Sequence, residues 1–256
     1  MGKNFKKNLI FILNFLSKIW LLFPNLFRLN FVKLLLFFES RNVETKSFIN
    51  LFDLNAFNET LINERAIFFN NGIHPKHKLI NYHNFFISNI SMGENVIDVG
   101  CGYGEVAFSI AKKFPNNKIV GIDIDEGRLN QAIKNNIFKN VTFIKKDIVK
   151  EKIVDQFDTL ILSNVLEHID NRILFLKETI KNTGVKKILI RIPAFERNWF
   201  IPFMKEKKIN YFSDIEHYIE HTKKEITTEL ELSGITILKI KSIWGEYWIN
   251  SVIKND

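Results

Sequence analysis

Cysteine is almost missing from this chain: Cys101 is the one example in 256 residues. No intrachain disulfide can form, so folding requires no oxidising compartment, and a cytoplasmic location is the expectation. Acidic side chains are absent from positions 1–38, which nevertheless contain Lys3, Lys6, Lys7, Lys18, Arg28 and Lys33. Of the 36 basic residues six sit in that arm, leaving 30 against 28 acidic ones in a nearly neutral body. The overall charge of +8 therefore does not describe a basic face on the body, which makes a nucleic-acid partner unlikely in this reading. No small-residue cleavage site follows the apolar N-terminal run, which argues against a secretory signal. Lys6 occupies the place where a myristoylation signal carries Ser or Thr. Internal repeats are absent as well.

What is present is enough for one α/β domain and an appendage. From Leu9 to Phe38 the chain is mostly Leu, Ile, Phe and Val, interrupted by Lys18 and Pro24. The stretch Leu9 to Phe27 approaches the length that crosses a bilayer. On a helical wheel Lys3, Lys7, Asn14, Lys18 and Asn25 form a narrow polar strip, which predicts a helix lying in a membrane interface. A true span, or packing on the catalytic domain or a second subunit, stays open, as does the oligomeric state. Residues 1–40 are thus read as an apolar basic helical arm. Residues 41–92 are read as a helical lead-in and candidate substrate cap, with helices around 45–70 and 76–90. Residues 93–256 are read as the catalytic domain.

From Asn95 onward strand and helix signals alternate. Asn95–Gly100, Lys118–Ile124, Val141–Asp147, Phe157–Asn164 and Lys186–Pro193 are short apolar runs of strand character. Glu105–Phe114, Glu126–Lys139 and Asn171–Asn182 have helical length and spacing. The capping box Thr222-Lys223-Lys224-Glu225 opens a further helix, and Ile235–Trp244 with Glu246–Ile253 reads as a hairpin. The expected fold is α/β: a doubly wound, mostly parallel seven-stranded Rossmann-like sheet with a terminal antiparallel hairpin, plus the N-terminal helical arm.

Chemistry concentrates after the first strand, in Asp98-x-Gly100-x-Gly102-x-Gly104, and at Asp123, which closes the second strand. Glycines let a backbone turn tightly against a ligand, and the acid stands where such folds meet ribose hydroxyls. A dinucleotide fingerprint would place its third glycine at position 105, and position 105 is Glu. A carboxylate there, with Asp98 ahead of the first glycine, repels a pyrophosphate and suits a ligand carrying sulfonium and ammonium cations.

The run from Val96 to Glu105 resembles motif I of the class I S-adenosylmethionine-dependent methyltransferases, and the likeness continues in register over roughly residues 72–250. Asp123 matches the ribose acid. Lys146-Asp147-Ile148 matches the segment whose acid accepts from the adenine amino group, and Phe157 to Ile169 matches the fourth strand with its Leu-Glu-His ending. The resemblance implies S-adenosylmethionine as cofactor, held by Asp98, Gly100, Cys101, Gly102, Gly104, Asp123, Ile124, Asp147, Ile148, Ser163 and Asn164.

The segment Ser163 to His168 lacks the Pro-Pro-aromatic tetrad of nucleic-acid amino-methylases and resembles the small-molecule branch. Gly72 to His77, Arg191 to Trp199 and Trp244 to Trp248 are similar to a bacterial group found among surface-polysaccharide genes. That likeness implies an acceptor hydroxyl or amino group on a surface-glycan precursor or other small molecule, met near the inner face of the membrane. A lipid or quinone acceptor, a non-catalytic cofactor-binding module and a dehydrogenase remain the alternatives. His168, Glu196 and His217 fall on loops at the carboxyl ends of strands, where acceptors bind, and are the catalytic candidates. His221 falls on or near such a loop too, and His74 and His77 are candidates to fold over from the arm. Each has a plainer role open to it: His168 orienting the cofactor loop, Glu196 and Arg197 as a surface ion pair, His217 and His221 as a solvated helix face. On that last reading no metal is expected. Trp199, Trp244 and Trp248 suit sugar stacking or core packing.

Overall fold

A computed structural model of the chain describes residues 3–71, 74–153 and 155–254, with side chains from Ile12 onward. Gly72, Ile73 and the side chains of Lys3, Lys6 and Lys7, which entered the reading above, lie outside the described residues. The chain forms two compact units divided between Pro75 and Lys76.

The first unit is helical: α1 (Lys3–Leu22), α2 (Asn25–Arg41) and α3 (Thr45–Phe69). Pro24 has no N–H to offer a continuing helix, and the chain bends by 115° between Ile12–Leu22 and Asn25–Arg41. Asn25 therefore opens a new helix rather than extending the polar strip of α1. Trp20 meets Phe31 edge-on across the bend at 5.8 Å between ring centroids, and Asn50 of α3 donates to Glu39 of α2 at 2.7 Å. In α2 exposed apolar side chains follow one another almost without interruption from Leu26 to Phe38, while Arg28 and Glu39 are half-buried. Among the described residues no single helix is long and apolar enough to cross a membrane, whereas the bent pair passes that test together.

The second unit is built on seven strands: β1 (Val96–Val99), β2 (Ile119–Asp123), β3 (Val141–Lys145), β4 (Thr159–Ser163), β5 (Lys187–Pro193), β6 (Ile235–Ile243) and β7 (Glu246–Ile253). Their order is β3-β2-β1-β4-β5-β7-β6, parallel throughout except for β7, which runs antiparallel to both β5 and β6. Alternation along the strands divides the core. Ile97, Val99, Leu160, Leu162, Ile188 and Ile190 turn to the face covered by α8 (Arg172–Thr183) and α10 (Lys223–Leu232). Val96, Ile119, Ile161 and Leu189 turn to the other face, against Val106, Ala107, Ile110 and Ala111 of α6 (Glu105–Lys113). Burial on both faces explains why the parallel strands read as continuous apolar runs.

The helix expected over 76–90 is two short ones, α4 (Lys76–Ile80) and α5 (Tyr82–Ile87), because Asn81 takes a left-handed conformation at φ 54°. Tyr82 and Phe86 of α5 are buried in the core beneath α6. α7 (Glu126–Asn135) begins at Asp125, whose carboxylate accepts from the Arg128 N–H, and α10 begins with the expected capping box. Helix α9 (Phe200–Glu206) was not anticipated from the sequence.

Candidate functional site

The strand order reverses between β1 and β4, which opens a crevice at their carboxyl ends. Two loops enter it. The first leaves β1 at Gly100, where φ is 68° and a Cβ would stand 2.6 Å from a Val165 methyl, so the close approach of the β4 loop excludes any side chain. Gly102 follows with φ 54°, and a Cβ there would meet no atom within 4 Å: the loop keeps open space on that side. Its N–H donates to Asp123 Oδ2 at 2.7 Å, and the Asp125 N–H donates to Asp123 Oδ1 at 2.8 Å. The end of β2 thereby fixes the glycine loop.

A cleft of about 290 Å³ lies at this point, and its walls include Gly100, Asp123, Ile124, Asp147, Ile148 and Asn164. Arg128, Lys146, Val165, His168 and Glu216 join them. The other residues expected to hold the cofactor are off this surface. Ser163 accepts from Arg191 at 3.1 Å, Gly104 stands at the N-terminus of α6, and Cys101 is half-buried with its thiol pushed up by burial and by the charges of Asp98 and Asp123. Asp98 is buried, and burial, reinforced by the negative charge of Asp123, pushes its carboxyl up to about 7. Its Oδ2 has no hydrogen-bond partner. Asp147 is held below the usual carboxylate range, chiefly by Lys150 at 2.9 Å, with the Val149 N–H assisting. A buried acid with one unpaired oxygen beside a second acid, next to open room at Gly102, fits a ligand with cationic groups and hydroxyls. The residues present thus suit the sulfonium cofactor implied by the sequence.

Beyond Asn164 the β4 loop continues through a short 3-10 turn, Leu166–His168. His168 belongs both to the cleft and to an adjoining recess of about 450 Å³, walled also by Ile215, Glu216, His217 and Tyr218. The rings of His168 and His217 meet edge to face at 4.5 Å. The carboxyl of Glu167, buried beside them, has neither oxygen hydrogen-bonded, and burial pushes it up to about 7. Burial and the neighbouring His217 lower His168, while the Glu220 hydrogen bond and the charge of Glu167 outweigh burial to raise His217. The fold therefore joins His168 and His217 across a long sequence interval.

Glu196 does not enter this group. Its carboxylate accepts from the Tyr247 hydroxyl at 2.5 Å, and Arg197 pairs with Glu220 at 2.6 Å, so the surface pairing of Glu196 with Arg197 is corrected. The shared helix face of His217 and His221 is corrected too: both lie outside α10, and His221 is fully buried against Glu229 at 3.0 Å. His74 bonds Asn63 in the helical unit, and His77 bonds the Tyr82 hydroxyl. Trp248 is core, whereas Trp199 and Trp244 are 78% and 74% exposed. Sequence reasoning missed Arg191, buried on β5, which forms a bidentate pair with Glu246 at 2.6 and 2.8 Å and lies over the Tyr82 ring at 4.0 Å. A basic residue inside the apolar run Lys187–Pro193 was the signal for it. Glu220 was missed also, with no local pattern to mark it.

Residues 90–234 match the family model described as "Methyltransferase domain". The chain is 29% identical over 94 residues to "N-methyltransferase 4" of Papaver somniferum, covering 35% of this chain and 26% of that protein. It is 26% identical over 95 residues to the malonyl-[acyl-carrier protein] O-methyltransferase of Bacillus cereus, covering 37% and 35%. The match thus spans about a quarter to a third of these curated relatives' lengths. In fold it is similar to the magnesium protoporphyrin IX methyltransferase of Synechocystis PCC 6803, solved with bound SAH, at a TM-score of 0.55 and 17% identity over 68% of this chain and 83% of that one. The glycine loop, Asp98, Asp123 and strands β1 to β5 lie within the matched residues, and this chain belongs to the methyltransferase domain family, with S-adenosylmethionine as its cofactor.

Proposed function

We propose that this protein methylates a hydroxyl or amino group of a small sugar-bearing acceptor, a surface-glycan precursor met at the inner face of a membrane. The observation that carries the reading is the continuity of the site: His168 and Glu216 line both the cofactor cleft and the adjoining recess, so an acceptor in the recess borders the cofactor. When bound, the cofactor supplies a sulfonium methyl group to an acceptor lone pair lying in line with it. Asp123 and the Gly100–Gly104 loop hold its ribose side, Asp147 its base, and Asp98 offsets its positive charge. His168 and His217 form the acceptor wall. Trp199 and Trp244 support a sugar: both are exposed, and the Gly245 carbonyl accepts from the Ala194 N–H at 2.9 Å, which brings the β6–β7 turn beside the exit of β5.

The uncovered apolar side chains of α1 and α2, beside the basic residues of the arm, support a peripheral membrane position, and they also favour a second reading in which the acceptor is a lipid or quinone. The test supplies tritiated S-adenosylmethionine with nucleotide-activated sugars, lipid-linked saccharides and quinone precursors in parallel. Label on a saccharide is expected, and His168→Ala should lower kcat/KM by about 100-fold or more. Label on the quinone alone would select the second reading. No label on any acceptor, with S-adenosylhomocysteine still bound, would leave a binding module.

A further inference from the structure

We propose that Glu167, His168 and His217 form a binding site for one divalent first-row transition-metal ion at the acceptor side of the cleft. One ligand atom from each residue lies within 4.8 Å of the other two. Donors about 2.1 Å from a shared ion stand about 3–3.5 Å apart, so small side-chain rotations would close the set. Proximity alone would fit edge-to-face packing of the two rings.

A second observation points to a ligand. Glu167 is 1% exposed, and neither of its carboxylate oxygens has a hydrogen-bond partner. A buried carboxylate with nothing to accept from is costly, and a bound cation is one of the few partners able to satisfy it. Arg191, a buried cation whose charge acts on Glu167, is committed to Glu246 through two hydrogen bonds. The outer ring of contacts fits as well. The Nδ1 of His217 is bonded to Glu220 at 3.0 Å, which leaves Nε2 for coordination, and Glu220 is itself fixed by Arg197 and by the Ser213 N–H. A carboxylate behind an imidazole is the usual way a ligating histidine is oriented.

Two imidazoles and one carboxylate suit Mn²⁺, Fe²⁺, Co²⁺, Ni²⁺ or Zn²⁺ better than Mg²⁺ or Ca²⁺, and three protein ligands leave positions open. Those positions border the recess walled by Ile215, Glu216 and Tyr218, and would take two neighbouring oxygens of the acceptor. This use of the ion rests on the methyl-transfer reading, whereas the site itself does not. The sequence reading expected no metal because it paired His217 with His221. The fold instead pairs it with Glu167 and His168.

The test titrates Co²⁺, and separately Mn²⁺, into the full chain after treatment with a chelator. Co²⁺ absorption bands and calorimetry are expected to report one equivalent, and His168→Ala and His217→Ala should each weaken binding by about tenfold or more. Glu167→Gln keeps the shape of the buried side chain and should also weaken it, with circular dichroism showing an intact fold. Absence of any Co²⁺ signal in the native chain, or equal affinity in a His168→Ala/His217→Ala double variant, would overturn the site. Calorimetry with S-adenosylhomocysteine on the metal-free protein separates the two claims: metal binding without cofactor binding upholds the site and removes its methyltransferase role.

Discussion

Asp98 and Glu229 illustrate opposite fates of a carboxylate in this fold. Asp98 is buried beside Asp123 without full pairing, while Glu229 on α10 accepts two hydrogen bonds from Arg172 of α8, at 2.7 and 2.8 Å, and one from His221. Burial alone would raise the Glu229 carboxyl from 4.5, but the His221 and Arg172 hydrogen bonds prevail and hold it at about 2. Its folded-state value is therefore depressed, so its contribution to stability is fully present above about 4.5 and is lost as pH falls toward 2. Urea unfolding of the native chain and Glu229→Gln should show a gap of about 2 kcal/mol at pH 6 that narrows steadily below pH 4.5. A gap independent of pH would mean that Glu229 acts through packing alone. The acids that face the cofactor cleft were legible in the sequence because each stands at a fixed offset from a strand end. Glu167 was visible only as part of Leu-Glu-His: its isolation in the fold depends on what His217 and Glu220 do some fifty residues later, and no local spacing encodes that. Glu196 was assigned to its sequence neighbour Arg197, although the two belong to different networks.

Strands were the most legible elements, because a parallel sheet covered on both faces leaves apolar runs with little else to become. The ends differ by one or two residues, as at β1, where Gly100 turns the chain out of the sheet. Helices at the rim were harder. The break at Asn81 depends on one left-handed residue, and α9 follows a 3-10 turn in a segment whose aromatic content gives no clear period. The capping box at Thr222 was readable because its two hydrogen bonds lie within four residues. It matters beyond α10, since that helix carries Glu229 and buries Ile226 and Leu230 against the sheet. Thr222→Ala should cost about 1 kcal/mol in denaturant unfolding, with the slope unchanged. A loss below about 0.3 kcal/mol would show that packing holds the helix start without the cap.

At the scale of the molecule, the helical unit and the sheet unit make separate demands on the chain. The first exposes apolar side chains on two bent helices, with basic residues and no acid up to position 38, and each Lys or Arg near an anionic surface contributes about 1 kcal/mol to attachment. Deleting residues 1–38 should leave cofactor affinity nearly unchanged and reduce flotation with anionic vesicles, and raising the salt should release part of the intact chain. Equal flotation of both proteins would contradict a membrane role for the arm. In the second unit the loop between β1 and α6 is read as a cofactor cradle, and calorimetry with S-adenosylhomocysteine measures its affinity. The native chain should bind in the micromolar range, about −8 kcal/mol. Asp123→Ala should weaken binding by about 1–3 kcal/mol. Gly102→Val, whose side chain would enter the open space beside the loop at a φ that branched residues avoid, should abolish binding while circular dichroism shows the fold retained. Full affinity in Gly102→Val would mean that the cofactor lies away from this loop, and no binding by the native chain would mean that the loop is no cradle.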